Sequence, residues 1–403
     1  MGTAGAVKNL LKNLFRAAGV ELRGYAPDFD PSCVSLTATP GVPTRGNVLL
    51  SYILAPFLLK RGQAISVAHN NHLESVLIAR TFQDLGYAVD IIDFRNDEFI
   101  PRKNYAFFVS ARTHLETIAA RLNSDCIKIA HLDTSHFAFN NFASYSRLLA
   151  LQQRRGITLP VGMRLIEQNR AIELADYGVV LGNGRTVDTY RYAKKPLFAL
   201  PVPAIVDQEW DANKDFHASR NRSLWLGSAG FVHKGLDLVL EAFAGMTEMH
   251  LTICGPIQSD PDFRQAYYKE LFETANILTA GWLDITGDEF RRHAHQAAAV
   301  VYPSCAEGQA TSVVNCLRAG LIPVVTAESG MDVGDFGIVL TEPSVGAIQG
   351  AVNRLARLPP SQLKEMSRKA SEYAHEHHSA ENYVRTYRGV ITEILEARGV
   401  TPP

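Results

Sequence analysis

The chain lacks any run of about 18 uninterrupted apolar residues, so no segment reads as a membrane span. Cysteine is sparse. Cys33, Cys126, Cys254, Cys305 and Cys316 are odd in number, scattered, and never spaced as CxxC. This excludes a disulfide framework and a cysteine zinc site, and fits reduced, mostly buried thiols in a cytoplasmic protein. A surplus of either charge is missing too: 40 Lys and Arg stand against 41 Asp and Glu, for a formal net charge of −1. Proteins that wrap nucleic acid carry a basic surplus, so no nucleic-acid partner is expected. No secretory leader is legible in residues 6–16, which have neither a long apolar centre nor a small-residue cleavage site. Low-complexity tracts and short repeats are absent as well.

What the first residues do have is helical spacing. Val7, Leu10, Leu11, Leu14 and Phe15 share one face while Lys8, Lys12 and Arg16 lie off it, predicting an amphipathic helix over 5–17. Such a helix either docks on its own domain or rests on an anionic membrane, peripheral on the inner face of the plasma membrane. The chain as a whole has 403 residues, 46% apolar and 20% charged. That is ordinary globular composition and enough length for two domains of about 200 residues each.

From residue 46 onward, short apolar runs alternate with helical patterns. Runs near 47–53, 88–93, 105–109, 126–130, 178–181 and 197–200 read as strands, with 65–68 a further strand or an inserted loop. Leu200-Pro201-Val202-Pro203 breaks the rhythm, because two prolines one residue apart cannot both sit in a paired strand. Beyond it the alternation restarts at Ser223 and runs through strands near 249–254, 277–280, 298–302, 322–326 and 337–340. The pattern predicts an α/β protein of two doubly wound, Rossmann-like parallel-sheet domains facing a central cleft. The expected boundaries are 1–203, 204–380, and a last helix over 381–403. Ligands in such folds sit beyond the carboxyl ends of the strands.

Two loops of the second half carry the chemistry. In Gly227-Ser228-Ala229-Gly230-Phe231-Val232-His233-Lys234-Gly235 a strand ends, small residues allow a tight turn, and a lysine stands at the helix entrance. A lysine there can neutralise a diphosphate as a bond to it breaks. In the stretch 303–312 (PSCAEGQATS) another strand feeds a small-residue turn into a helix starting at Thr311. Its unpaired N–H groups and the positive helix end suit a phosphate, and Glu307 beside them can accept hydrogen bonds from hydroxyls.

These residues resemble the nucleotide-binding domain of the retaining GT-B glycosyltransferases of family four (glycosyl transferases group 1). The match is carried by Gly227 with Lys234-Gly235-Leu236-Asp237, then Glu241-Ala242-Phe243 and Ile253-Cys254-Gly255. Tyr302-Pro303-Ser304 with Glu307-Gly308, and residues 319–325 (AGLIPVV), complete it. The resemblance implies a GT-B fold and transfer of a sugar from a nucleoside-diphosphate sugar, UDP or GDP, to a carbohydrate or lipid-linked acceptor. It implies retention of configuration, no metal ion and no cofactor, and a place in surface polysaccharide or glycolipid synthesis. It implies that Lys234 holds the diphosphate and Glu307 the sugar hydroxyls. The stretch Gly308, Gln309, Ala310, Thr311 and Ser312 would meet the phosphate, Gly227, Ser228 and Gly230 would shape the loop beneath it, and Leu283 would lie near the base. It also implies that the last helix crosses back to the first domain. Two positions depart from the family: Asn315 stands where a glutamate binds the ribose, and Ser228 stands near the place of an arginine. Relatives in fold leave other outcomes open, namely an epimerase, a phosphorylase, or a non-catalytic sugar-nucleotide binder.

In the first half, His131-Leu132-Asp133-Thr134-Ser135-His136 follows a strand. Its resemblance to the family's strand-end histidine makes His131 the residue facing the donor sugar, with Asp133 as helper and His136 on the acceptor side. A histidine there can share a proton with a hydroxyl at neutral pH. In the stretch 69–74 (HNNHLE), Asn71 with Glu74 predicts a capping box, with the loop a candidate for ligand contact.

Overall fold

The computed structural model describes residues 33–401, apart from 61–62, 67–69, 112–113 and 161–163. The amphipathic stretch 5–17 and His69 lie outside the described residues.

Continuous apolar runs form strands buried on both faces. The first sheet contains β1 Cys33–Leu36, β2 Gly46–Tyr52, β3 Tyr87–Asp93, β4 Phe107–Ala111, β5 Ile127–Leu132, β6 Tyr177–Leu181 and β7 Leu197–Leu200. Its order is β1-β3-β2-β4-β5-β6-β7, parallel throughout except for β1, which runs antiparallel to β3. The second sheet contains β8 Arg222–Leu226, β9 His250–Cys254, β10 Ile277–Gly281, β11 Ala299–Tyr302, β12 Ile322–Thr326 and β13 Ile338–Leu340. All its pairs are parallel, in the order β10-β9-β8-β11-β12-β13. The strand order reverses between β8 and β11, so the loops after those two strands flank the crevice where this kind of sheet binds ligands. Residues 63–66 form no strand, and β1 is a short, half-exposed edge without a strong apolar signature.

The helices used below are α1 Asn71–Asp84, α2 Phe137–Arg155, α3 Leu236–Ala244, α4 Thr311–Arg318, α5 Pro360–His377 and α6 Ala380–Ala397. The apolar stripe of α3 places Leu236, Val239, Leu240 and Phe243 at 0% exposure against the second sheet. Each such burial stabilises by about 1.5–3 kcal/mol. Trp225 and Tyr302 stack beneath the site with centroids 6.2 Å apart. In α6 the apolar face meets the first domain, where Tyr387 packs edge-on against Phe82 of α1 at 6.0 Å. The proline-rich connection between the sheets is held on its backbone. Ala204 N donates to His378 O (2.7 Å), and His378 Nδ1 donates to Val202 O (2.8 Å).

No described helix is long and apolar enough to cross a membrane.

Candidate active site

The loop after β8 folds back on itself so that Lys234 lies at the foot of α3, its carbonyl accepting from Trp225 Nε1 at 3.4 Å. The Lys234 side chain is 5% exposed. Its Nζ donates to Ser228 Oγ at 3.1 Å and stands 5.8 Å from the Tyr302 ring centre. The loop after β11 brings Glu307 to the same place. Glu307 Oε1 accepts from Tyr302 OH (3.0 Å) and Ser304 Oγ (2.9 Å), and Oε2 from Arg164 Nη2 (2.8 Å). Lys234 and Glu307 line one cavity of about 720 Å³ in the cleft between the domains.

Charge in this pocket is mutually tuned. Burial pushes the Glu307 carboxyl up, but Arg164, then Lys234 and His233, outweigh it and hold the carboxyl at about 2. Burial lowers the Lys234 ammonium to about 8, Glu307 resisting and Arg164 assisting. At neutral pH the site therefore holds a carboxylate and an ammonium that is close to releasing its proton.

The Gly308–Ser312 segment lies along the cavity wall. No side chain caps the N-terminus of α4, so its first amides are left for a ligand. Gly308 is squeezed between the domains: a Cβ there would lie 2.6 Å from Asp133 O and 3.0 Å from Leu181 O. Its own carbonyl accepts from Thr186 Oγ1 at 2.6 Å. Two side chains of this region are committed to the inter-sheet connection. Gln309 Oε1 accepts from Val202 N (2.8 Å) and its Nε2 donates to Gly330 O (3.2 Å). Asn315 Oδ1 accepts from Ile205 N (2.8 Å) and Val206 N (2.9 Å), while Nδ2 donates to Thr311 O (2.9 Å). Asn315 thus borders the site through a side chain whose hydrogen bonds are already engaged.

A smaller chamber of about 150 Å³ continues from the cavity past Ser228, Lys234, Thr311 and Ser312, lined also by Gly227, Leu283 and Asn315. Gly230 borders neither space. Its backbone, at φ +90°, takes the flank of Arg164, whose Cγ would lie 2.2 Å from a Cβ at this position.

From the first domain, Asp133 borders the cavity. His131 is 1% exposed and lies behind that wall. Its Nε2 is 3.9 Å from Glu74 Oε2, its ring meets Tyr52 edge-on at 4.9 Å, and neither ring nitrogen has a hydrogen-bond partner among the described residues. His136 caps α2, its Nδ1 accepting from Ala138 N (3.4 Å) and its Nε2 sharing a hydrogen bond with Tyr192 OH (3.1 Å). Burial lowers the His136 imidazole, with Glu173 opposing. The predicted capping box does not form. Asn70 is the N-cap of α1 without a side-chain cap bond, and Glu74 instead accepts from Tyr52 OH (2.8 Å) and Asn70 Nδ2 (3.0 Å).

Several residues here had no signal in the sequence. Arg164 is one, in a loop without periodicity. Helix α2 is another: Arg147 Nη2 donates to Pro303 O (2.9 Å), Arg154 reaches Asp237 (2.6 Å), and Arg155 reaches Glu270 (2.7 Å). His233 completes the contact, with Nε2 donating to Ala306 O (2.5 Å) and Nδ1 beside Ser144 Oγ of α2 (2.8 Å). Burial, then Arg164, lowers its imidazole to about 4, so it is neutral at pH 7.

Among the described residues, no group of three or more His, Cys, Asp or Glu is placed to hold a metal ion.

The sequence profile of the family described as glycosyl transferases group 1 matches residues 220–357. No curated protein sequence matches the chain. Sucrose-phosphate synthase from Thermosynechococcus elongatus superposes with a TM-score of 0.60 at 13% identity, covering 88% of this chain and 100% of that one. Anabaena HepE, in complex with UDP and glucose, gives 0.54 at 12% identity, covering 87% and 99%. Staphylococcus aureus TarM, in complex with UDP among other ligands, gives 0.51 at 12% identity, and the chain spans only 55% of its length against 70% of its own. Likeness at this identity establishes architecture: the chain has the GT-B fold, and its second domain, over residues 220–357, matches glycosyl transferases group 1.

Proposed function

We propose that this protein transfers a sugar from a nucleoside-diphosphate sugar, UDP or GDP being the carrier, to an acceptor hydroxyl with retention of configuration. The observation that carries this reading is the meeting of Lys234, Glu307 and the uncapped start of α4 in one cavity at the strand-order reversal of the second sheet. An ammonium and backbone amides face one region, where a diphosphate gathers charge as its bond to the sugar lengthens. A carboxylate stands beside them to accept from the sugar hydroxyls. The base and ribose fit the chamber beyond Ser228, next to Leu283. The sugar then lies toward Glu307, and the acceptor occupies the part of the cavity walled by the first domain. The group leaves and the acceptor arrives on the same face, with the departing diphosphate taking the acceptor's proton. The protein contributes position and charge rather than a covalent bond.

The test is incubation with a panel of UDP-, GDP- and ADP-sugars, with release of nucleotide as the readout. The expected result is release from a UDP- or GDP-sugar, lost in Lys234→Ala. Release unchanged in that variant, or no binding of any nucleotide, refutes the site.

A further inference from the structure

We infer that the acceptor bound opposite the donor is an uncharged, hydroxyl-rich saccharide segment, and that phosphorylated or otherwise anionic acceptors are turned away. This rests on the glycosyl-transfer reading above and names the acceptor class for the same cavity.

The first-domain wall of the cavity is built from loops at the carboxyl ends of β2, β3 and β5 and from the segment after α2. Its polar groups include Asn70, Asn71, Glu74, Asp97, Asp133 and Glu167. Four are carboxyl groups. Among the described residues, the cations on this wall are Arg95, paired with Asp93 (Nε to Oδ1, 2.9 Å), and Arg164, paired across the cleft with Glu307 (2.8 Å). Lys234 lies on the donor side with Glu307. Lys234 and the start of α4 therefore suit a diphosphate, while the acceptor wall carries four carboxyl groups and arginines that are already paired.

A second observation, independent of the charges, shows what the wall asks of its ligand. Asn70 is 8% exposed, borders both the cavity and the smaller chamber, and donates its amide N–H to Glu74, while its Oδ1 has no donor among the described residues. Asn71 Oδ1 is likewise buried and without a donor. Buried acceptor oxygens without partners are costly unless a ligand supplies O–H or N–H groups. Sugar hydroxyls donate and accept. A phosphate dianion offers only acceptor oxygens to oxygens that need donors, and adds like-charge repulsion from the carboxyl groups of the wall. Phe94, also lining this cavity, offers an apolar face for the C–H side of a sugar ring.

The experiment uses the full chain and the nucleotide sugar it consumes. Methyl glucoside, methyl mannoside, methyl N-acetylglucosaminide and their 6-phosphates are added separately, and nucleotide release and glycoside product are followed. At least one neutral glycoside should accelerate release, with its 6-phosphate lower in kcat/KM by about tenfold or more. The double variant Asp97→Asn, Glu167→Gln should narrow that gap by raising the rate with the phosphate. Phosphates that serve as well as the neutral glycosides, a gap the double variant leaves intact, or no acceleration by any neutral glycoside would each overturn the inference. Failure of the wild type to bind or hydrolyse any nucleotide sugar would instead overturn the reading of the donor site.

Discussion

Lys234 and Glu307 set each other's charge, and that pairing fixes how the site should respond to pH. The ammonium is lowered to about 8 by burial and partly restored by the carboxylate. A diphosphate binds the protonated form, so nucleotide affinity should hold below pH 8 and fall as pH rises through it. Isothermal titration across pH 6.5 to 9.5 checks this, and binding near pH 8 should take up protons. Lys234→Arg should flatten the alkaline fall, because a guanidinium does not titrate there. Glu307→Gln should move the fall to lower pH, since the charge that raises the lysine is gone. Lys234→Ala should cost about 10²–10³ in turnover, the usual loss for one aimed donor. Both residues were readable from sequence because each follows a strand-turn-helix pattern whose geometry is local. Arg164 was not readable, since its partner Glu307 is 143 positions away and only the closed cleft brings them together.

At the scale of elements, α4 does two jobs. Its N-terminus borders the cavity, and its flank holds the connection between the sheets through Asn315. Asn315→Ala would leave the Ile205 and Val206 amides without their acceptor in a part-buried setting, at about 1–3 kcal/mol. A melting temperature lower by several degrees is the expected outcome, measured by calorimetry, with nucleotide affinity reduced far less than in Lys234→Ala. An equal loss of affinity in the two variants would show Asn315 to be a ligand contact instead. Periodicity made α4 and most strands legible, because apolar spacing reports burial directly. It did not make Asn315 legible as a linker clamp, because an asparagine's partners depend on the backbone it meets in three dimensions. The same holds for the stretch after residue 69. The spacing of Asn71 and Glu74 satisfies a capping rule, yet Tyr52 and Asn70 compete for the carboxylate and win.

Across the whole molecule, the two domains are locked by close backbone approach and by α2. Gly308→Ala would place a methyl group 2.6 Å from Asp133 O, which the backbone on either side cannot absorb. The expected result is a more open cleft, seen as a larger radius of gyration by small-angle scattering, with donor turnover falling together with it. Two mostly parallel sheets followed from strand-helix alternation; the strand order and the antiparallel edge strand β1 did not. Closure did not, because the arginines of α2 look like any solvated basic helix end until their acidic partners on α3 and beyond are in view.

One consequence follows from the double role of α4. The helix proposed to meet a phosphate at its tip also holds the connection between the sheets through its side, so, if that connection acts as a hinge, ligand occupancy and cleft angle are thermodynamically linked. If the hinge angle alters what the tip can offer, then binding at the tip must bias the angle by the same factor. Substitutions at Ala204 and Val206, which line neither the cavity nor the smaller chamber, should therefore retune how tightly the nucleotide is held.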